Sequence, residues 1–330
     1  MEAVLMRRWL LVMAVFGLLL APSLGSANPN GVGAGDFDYQ CGGACHGDAS
    51  MNGTSTANLT LTGEAVVYEG LFTSVTARVE APTTTASGLV GVFLLSDSSG
   101  VNDHPAQHGW TIVTNSEGTD TNYVEVRVPA GSTSVNVSWT LKAPAAGQHT
   151  LLAALHHGDD EEGTPYFGES ERWALNLVPI PEDLPRLNPA FTPPVIRNVG
   201  EASELQVSTV STDSLTAEWR DETGHVQAAT VEWTSEGVWT VALPASLSAN
   251  TLEWRVTLNG EGPAQTSPWF QLTSDAKQQE LDGTQLYLQG LALAVLSAGL
   301  VIALQRRPSD TAPYDPLEAL ETVYRPEVKF

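Results

Sequence analysis

The chain has 330 residues and a formal net charge of −23, from 38 acidic against 15 basic residues. A field of that sign repels nucleic acid and anionic lipid, which excludes both as partners. Hydrophobic residues are 42% and charged residues 16%, so the composition is that of an ordered chain, and the length suits two domains with accessories.

Residues 1–27 read as a secretory signal peptide. Arg7-Arg8 gives the positive start, Trp9 to Leu20 the apolar run, and Ala21 to Ala27 the small residues of a cleavage region. Kept uncleaved, the same stretch would be an N-terminal anchor. In both cases the chain that follows enters an oxidising compartment.

A linker with a cysteine motif occupies 28–58. Its centre is Cys41-Gly42-Gly43-Ala44-Cys45-His46, which holds both cysteines of the protein. Two thiols followed directly by an imidazole is the chemistry of covalent c-type haem attachment. The thiols bond to the porphyrin and the imidazole takes an axial position on the iron. The usual spacing is C-x-x-C-H, and this motif carries one extra residue between the thiols.

From 59 to 178 the sequence runs in short strands. Val75 to Val79, Tyr123 to Val128 and Val135 to Trp139 alternate with period two, each with one face to bury. Leu89 to Leu95 and Leu151 to Leu155 are continuous apolar runs of strand length, suited to the centre of a two-sheet sandwich of ~120 residues. Six prolines between Pro179 and Pro194 then predict a stiff, extended linker over 179–194. A second β domain follows at 195–274, with five of the nine tryptophans. Its turn signals recur every ~8–12 residues, the immunoglobulin or fibronectin III-like pattern without a disulfide.

After a polar juxtamembrane stretch at 275–285, residues 286–304 contain no charge and are long enough for a transmembrane helix. Arg306-Arg307 follows at once and sets the tail, 305–330, in the cytoplasm. The fold class is therefore mainly β: two tandem β-sandwiches between an N-terminal signal peptide and one C-terminal membrane helix. The expected location is the cell membrane, single-pass type I, with the bulk of the chain outside the cytoplasm.

Several features in order resemble the choice-of-anchor V domain, a reeler-like β-sandwich of exported prokaryotic proteins. They are Cys45-His46, Tyr68-Glu69-Gly70, the segment Trp139-Thr140-Leu141-Lys142-Ala143-Pro144, and the stretch from Leu151 to Trp173. The resemblance covers about 40 to 178. It implies a reeler-like fold for 59–178 and a haem-attachment role for the cysteine motif. Two departures stand out: the extra residue in the motif, which its glycines accommodate, and the lack of a histidine around Tyr123 to Arg127, where many members carry one.

Three readings of Cys41 and Cys45 remain open on the residues alone. They tether a haem with His46 as axial ligand, or they form a Cys41–Cys45 disulfide, or with His46 they bind copper or zinc. The candidates for a second ligand are His156 and His157 at a strand end, His104 and His108 in one loop, then His149 and Met51. The cluster Asp159-Asp160-Glu161-Glu162 lacks the ligand spacing of an EF-hand and reads as an acidic surface loop. No nucleophile elbow, phosphate loop or zinc-protease helix occurs, so an enzyme is not expected. The leading expectation is an extracytoplasmic electron-transfer protein with haem c and a redox-protein partner. The alternative is a non-enzymatic cell-surface binding or adhesion protein with the disulfide and no cofactor.

Overall fold

The computed structural model describes residues 36–38, 53–82, 88–128, 132–158, 165–275 and 283–305. The signal sequence, the Cys41–His46 motif, Met51, the acidic loop 159–162 and the tail from 306 lie outside them.

The described chain is mainly β. The first unit comprises β1 (Gly53–Thr54), β2 (Asn58–Gly63), β3 (Phe72–Glu80), β4 (Leu89–Leu95), β5 (Thr111–Asn115), β6 (Tyr123–Arg127), β7 (Ser134–Lys142), β8 (Gly147–Gly158), β9 (Pro165–Glu169) and β10 (Trp173–Leu177). One sheet has the order β1-β9-β8-β4-β6, with β10 also on β8, and the other the order β2-β3-β7-β5. Pairing is antiparallel except between β1 and β9.

Alternation along each strand produces the sandwich core. In β3, Thr73, Val75, Ala77 and Val79 point inward, while Arg78 is exposed. They meet Val137, Trp139 and Leu141 of β7, and Val90, Val92, Leu94, Leu151, Ala153 and Leu155 from the facing sheet. Strands β4 and β8 are buried on both faces, which is why they read as continuous apolar runs. Phe93, Leu95, Tyr123, Leu152 and Ala154 form a separate cluster on the outer face of that sheet, joined by Phe37 and Phe167.

The second unit comprises β11 (Arg186–Leu187), β12 (Ile196–Asn198), β13 (Ser203–Val210), β14 (Ser214–Arg220), β15 (Val226–Ser235), β16 (Val238–Leu243), β17 (Asn250–Asn259), β18 (Gln265–Thr266) and β19 (Phe270–Asp275). They pair in the order β11-β13-β16-β15-β14-β17-β19-β12, with β18 on β17, and fold over a core centred on Val207, Val241, Trp254, Val256 and Phe270.

The proline-spaced segment departs from the expected stiff linker. Arg186 and Leu187 pair with Val210 and Thr209, and Leu184, Leu187 and Phe191 are buried. Proline removes a backbone donor only at its own position, so the residues between prolines remain free to pair and to pack. The segment is part of the second core rather than a spacer.

The two sandwiches share side chains. Phe72 of β3 packs edge-on against Phe270 at 5.2 Å and Phe191 at 6.4 Å. Thr140 is buried because its hydroxyl donates to the Trp269 carbonyl at 3.1 Å. The Trp269 ring is itself held between the guanidinium groups of Arg220 and Arg255, at 4.4 and 4.3 Å. Each arginine is paired to a glutamate, Glu253 and Glu218.

The C-terminal element, α1 (Gly283–Gln305), forms a unit of its own. Among the described residues no helix is long and apolar enough to cross a membrane, so the structure does not support the span expected at 286–304. The backbone of α1 nonetheless runs 23 residues, and its side chains are described at 287–288 and 290–302.

Phe72→Ala tests the coupling between the sandwiches. Phe72 is only partly buried, so the expected loss is about 2–3 kcal/mol, below that of a fully buried phenylalanine. Thermal denaturation should show the single transition of the parent moving down and splitting in two; an unchanged single transition would contradict the packing role.

Candidate functional site

The Cys41–His46 motif lies outside the described residues, but the chain is described on both sides of it, and both sides are fastened to the same sheet. On the N-terminal side, Phe37 donates its backbone N–H to Asn122 Oδ1 at 2.9 Å, and Asn122 Nδ2 donates to the Phe37 carbonyl at 2.8 Å. Asn122 is fully buried and also donates to the Leu94 carbonyl. The Phe37 ring lies 4.8 Å from Tyr123 and 5.6 Å from Phe93. Asp38 Oδ1 accepts from the backbone N–H groups of Asp103 and His104, each at 3.1 Å.

On the C-terminal side, β1 adds to the edge of β9, with Gly53 opposite Tyr166 and Thr54 opposite Phe167. Ser55 N–H then donates to the Phe167 carbonyl at 2.7 Å. Ser55 Oγ accepts from Ala57 N–H and lies 2.8 Å from His157 Nε2.

The end of β8 lies beside this second fastening. His156 and His157 are both 2% exposed, and the period of the strand turns them to opposite faces. His157 follows the inward residues Leu151, Ala153 and Leu155, and its ring stacks on Tyr166 at 5.4 Å and 14°. His156 follows Leu152 and Ala154 on the outer face. Its cross-strand neighbours are Gly91 of β4 and Phe167 of β9, whose ring is 6.3 Å away.

His104, His108 and His149 hold local structure. His104 Nδ1 accepts from Ala106 N–H at 3.0 Å, starting a short 3-10 turn, and its Nε2 faces Asp36 at 3.2 Å. His108 Nε2 donates to the Asn102 carbonyl at 2.8 Å, and His149 Nε2 to the Ala145 carbonyl at 2.9 Å. A carbonyl only accepts, so the proton must sit on Nε2 in both. The structure thus keeps His104 and His108 in the loop they share, away from His156 and His157.

Two open clefts lie elsewhere. One of about 350 Å³ is lined by Asp97, His108, His149 and Arg172, and one of about 380 Å³ by Asp36, His104, Trp110 and Asp120. In the first, the Ser98 backbone N–H and the Arg172 guanidinium hold the Asp97 carboxyl below its usual range. Among the described residues no three of His, Cys, Asp and Glu gather as metal ligands.

The outer-face cluster and His156 make one chemically distinct patch: an imidazole set in a wall of aromatic and aliphatic side chains. These side chains are packed closely, with Phe93, Leu95, Leu152 and Ala154 fully buried and Tyr123 and His156 at 2% exposure. Asn122 was not legible as a site residue in the sequence. The signal that was present is the unbroken apolar run of β8, which requires a covering on both faces.

No family model matches the chain, and no curated protein matches it. Among solved structures it is similar to titin Ig tandem domains A164-A165, at 11% identity over 68% of this chain and all of that one. The TM-score is 0.22, so this likeness carries no argument.

Burial, reinforced by the negative charges of Glu125 and Glu117, pushes the Tyr123 phenol well above its ordinary value of 10. The unfolded chain therefore ionises first as pH rises. The Tyr123 contribution to stability is intact below about pH 10 and is lost progressively above it. Unfolding by denaturant at increasing pH should show a steeper alkaline loss in the parent than in Tyr123→Phe; equal slopes would contradict the burial of the phenol.

Proposed function

We propose that the chain is an extracytoplasmic, membrane-anchored carrier of one covalent haem c that exchanges electrons with another redox protein. The observation that carries the reading is the thiol–thiol–imidazole run Cys41, Cys45, His46, between two segments fastened to one sheet beside a buried imidazole and an aromatic face. The resemblance of 40–178 to the choice-of-anchor V domain, a reeler-like sandwich, supports it. The immunoglobulin or fibronectin III-like assignment of the second unit is part of the same proposal.

Cys41 and Cys45 would hold the group through thioether bonds and His46 would supply a nitrogen ligand. When bound, haem supplies a one-electron ferric–ferrous couple. No side chain needs to transfer a group, since electrons pass between proteins without bond making.

The anchor rests on sequence. Residues 286–304 carry no charge, the α1 backbone spans ~34 Å at 1.5 Å per residue, and Arg306-Arg307 favours a cytoplasmic tail. A signal peptide at 1–27 would deliver the sandwiches to the opposite side. Because the two sandwiches share a packed junction, the haem-bearing unit would be held at a fixed attitude to the second unit rather than on a loose tether.

The test is an absorption spectrum of protein purified from its native membrane, oxidised and then reduced, with haem staining on a denaturing gel. A Soret band, sharp bands on reduction and a stained band at the chain's mass are expected. A colourless, unstained protein from a host that makes other c-type haem proteins overturns the reading and leaves a binding module closed by a Cys41–Cys45 disulfide.

A further inference from the structure

We propose that the open cleft lined by the β4–β5 loop, the start of β8 and the approach to β10 binds a neutral saccharide. The Asp97 carboxylate, the Arg172 guanidinium and the buried Ser96 hydroxyl would hold its hydroxyl groups. No residue of the cysteine motif takes part, so the site stands or falls apart from the haem.

Three pieces of chain make the cleft. Ser96 and Asp97 continue from the end of β4, Gln148 to Thr150 open β8, and Arg172 and Ala174 belong to the β10 region. Its volume of about 350 Å³ is at the small end of the range for ligand clefts. Ala174 lies opposite Thr150 across the β8–β10 pair and adds only a methyl group there. The loop is braced from behind by Asp103, which is fully buried. Its carboxylate accepts from the Ser99 and Gly100 backbone N–H groups, and its carbonyl accepts from Ser96 N–H at 2.8 Å.

Ser96 gives the first sign of a ligand. It is 5% exposed, it lines the cleft, and its Oγ has no hydrogen-bond partner among the described residues. A buried hydroxyl left unpaired is costly, and a partner arriving through the cleft would satisfy it. Asp97 and Arg172 give the second. Arg172 donates to Asp97 Oδ1 and to Ser98 Oγ, each at 2.9 Å, and Ser98 N–H donates to the same Oδ1 at 2.8 Å. Both bonds to the carboxylate fall on Oδ1, which leaves Oδ2 to accept, and the guanidinium has further N–H groups to donate. An acceptor and a donor side by side match two neighbouring hydroxyls of a sugar ring, since each hydroxyl both donates and accepts. His108 and His149 give Nε2–H to backbone carbonyls, so in the neutral ring Nδ1 of each is an acceptor.

The same groups disfavour charged ligands. The charges of Asp97 and Arg172 cancel, so with neutral imidazoles the cleft offers no net charge to a phosphate or an ammonium group. A zwitterion would need that pair to open. A metal ion would need three ligands gathered, and among the described residues none gather. No Trp, Tyr or Phe lines the cleft; Trp110 is 2% exposed and packs edge-on against His149 at 6.0 Å. A sugar would therefore be held by hydrogen bonds in an open cleft that buries only part of it, at about millimolar Kd.

Saturation-transfer NMR on the full-length protein in a sugar-free detergent tests the site, with glucose, galactose, mannose, maltose and lactose as probes. Transfer to at least one of them is expected, at about millimolar Kd. Arg172→Ala and Asp97→Asn should each weaken that binding about tenfold or more, and Ser96→Ala several-fold. The Arg172 and Asp97 side chains are 52% and 42% exposed, so neither change threatens the core. Asp120→Asn, in the second cleft, should leave binding unchanged. No transfer to any of the sugars at about 10 mM overturns the assignment, as does binding that Arg172→Ala and Asp97→Asn both leave intact. Glycine and inorganic phosphate serve as the zwitterionic and anionic probes, and tighter binding of either than of every sugar also overturns it.

Discussion

Coverage of the β1-β9-β8-β4-β6 sheet on both faces is the constraint on which the rest of the structure depends. Its inner face packs against β3 and β7 to make the sandwich core, and its outer face buries Phe93, Leu95, Leu152 and Ala154 completely. Phe93, Leu95 and Leu152 each contribute about 1.5–3 kcal/mol when withdrawn from water, and the Ala154 methyl less. An antiparallel sheet commonly leaves one face to solvent with polar residues on it. The apolar outer face here commits Phe37 to stay on the sheet. Asn122 makes that commitment directional, since its side chain satisfies the Phe37 amide and carbonyl at the same time. The described chain on either side of the cysteine motif, at Phe37 and at Gly53–Thr54, is thereby held on one sheet.

The junction between the sandwiches supplies a second kind of rigidity. Phe72 is rooted in the first unit and packs in the aromatic cluster of the second, with Phe191 and Phe270. Trp269 is immobilised between two arginines and offers its carbonyl to Thr140. These contacts convert a proline-rich connection into part of a packed body. Under the proposed electron-carrier role this would matter, because transfer depends steeply on distance and orientation and a fixed body would present the same surface to every partner. A formal net charge of −23 would favour partners of opposite charge and make such association sensitive to ionic strength.

Much of the fold could be read in the sequence because strand periodicity is local. Val75 to Val79 and Val135 to Trp139 alternate and do so in the structure. What escaped is long-range. The segment with Leu184, Leu187 and Phe191 reads as a linker when only its prolines are counted. Its burial depends on Val207, Trp254 and a phenylalanine more than a hundred residues earlier. The pair His156-His157 shows the same limit. Sequence places both at a strand end, but which one faces the aromatic wall is decided by pairing with Gly91, Phe167 and Tyr166. For Cys41, Cys45 and His46 the legible part is chemical, two thiols and an imidazole in one run, and those residues by themselves leave haem, a disulfide and a metal ion open.

The central claim is that this run carries a covalent haem. Proteolytic peptides of the natively produced protein, analysed by mass spectrometry without reduction, test it most directly. The account predicts that the peptide containing Cys41 and Cys45 carries the mass of one haem through two thioether links, and that no peptide contains the two cysteines as a disulfide. Recovery of that peptide with Cys41 bonded to Cys45, or with both thiols free, would contradict it.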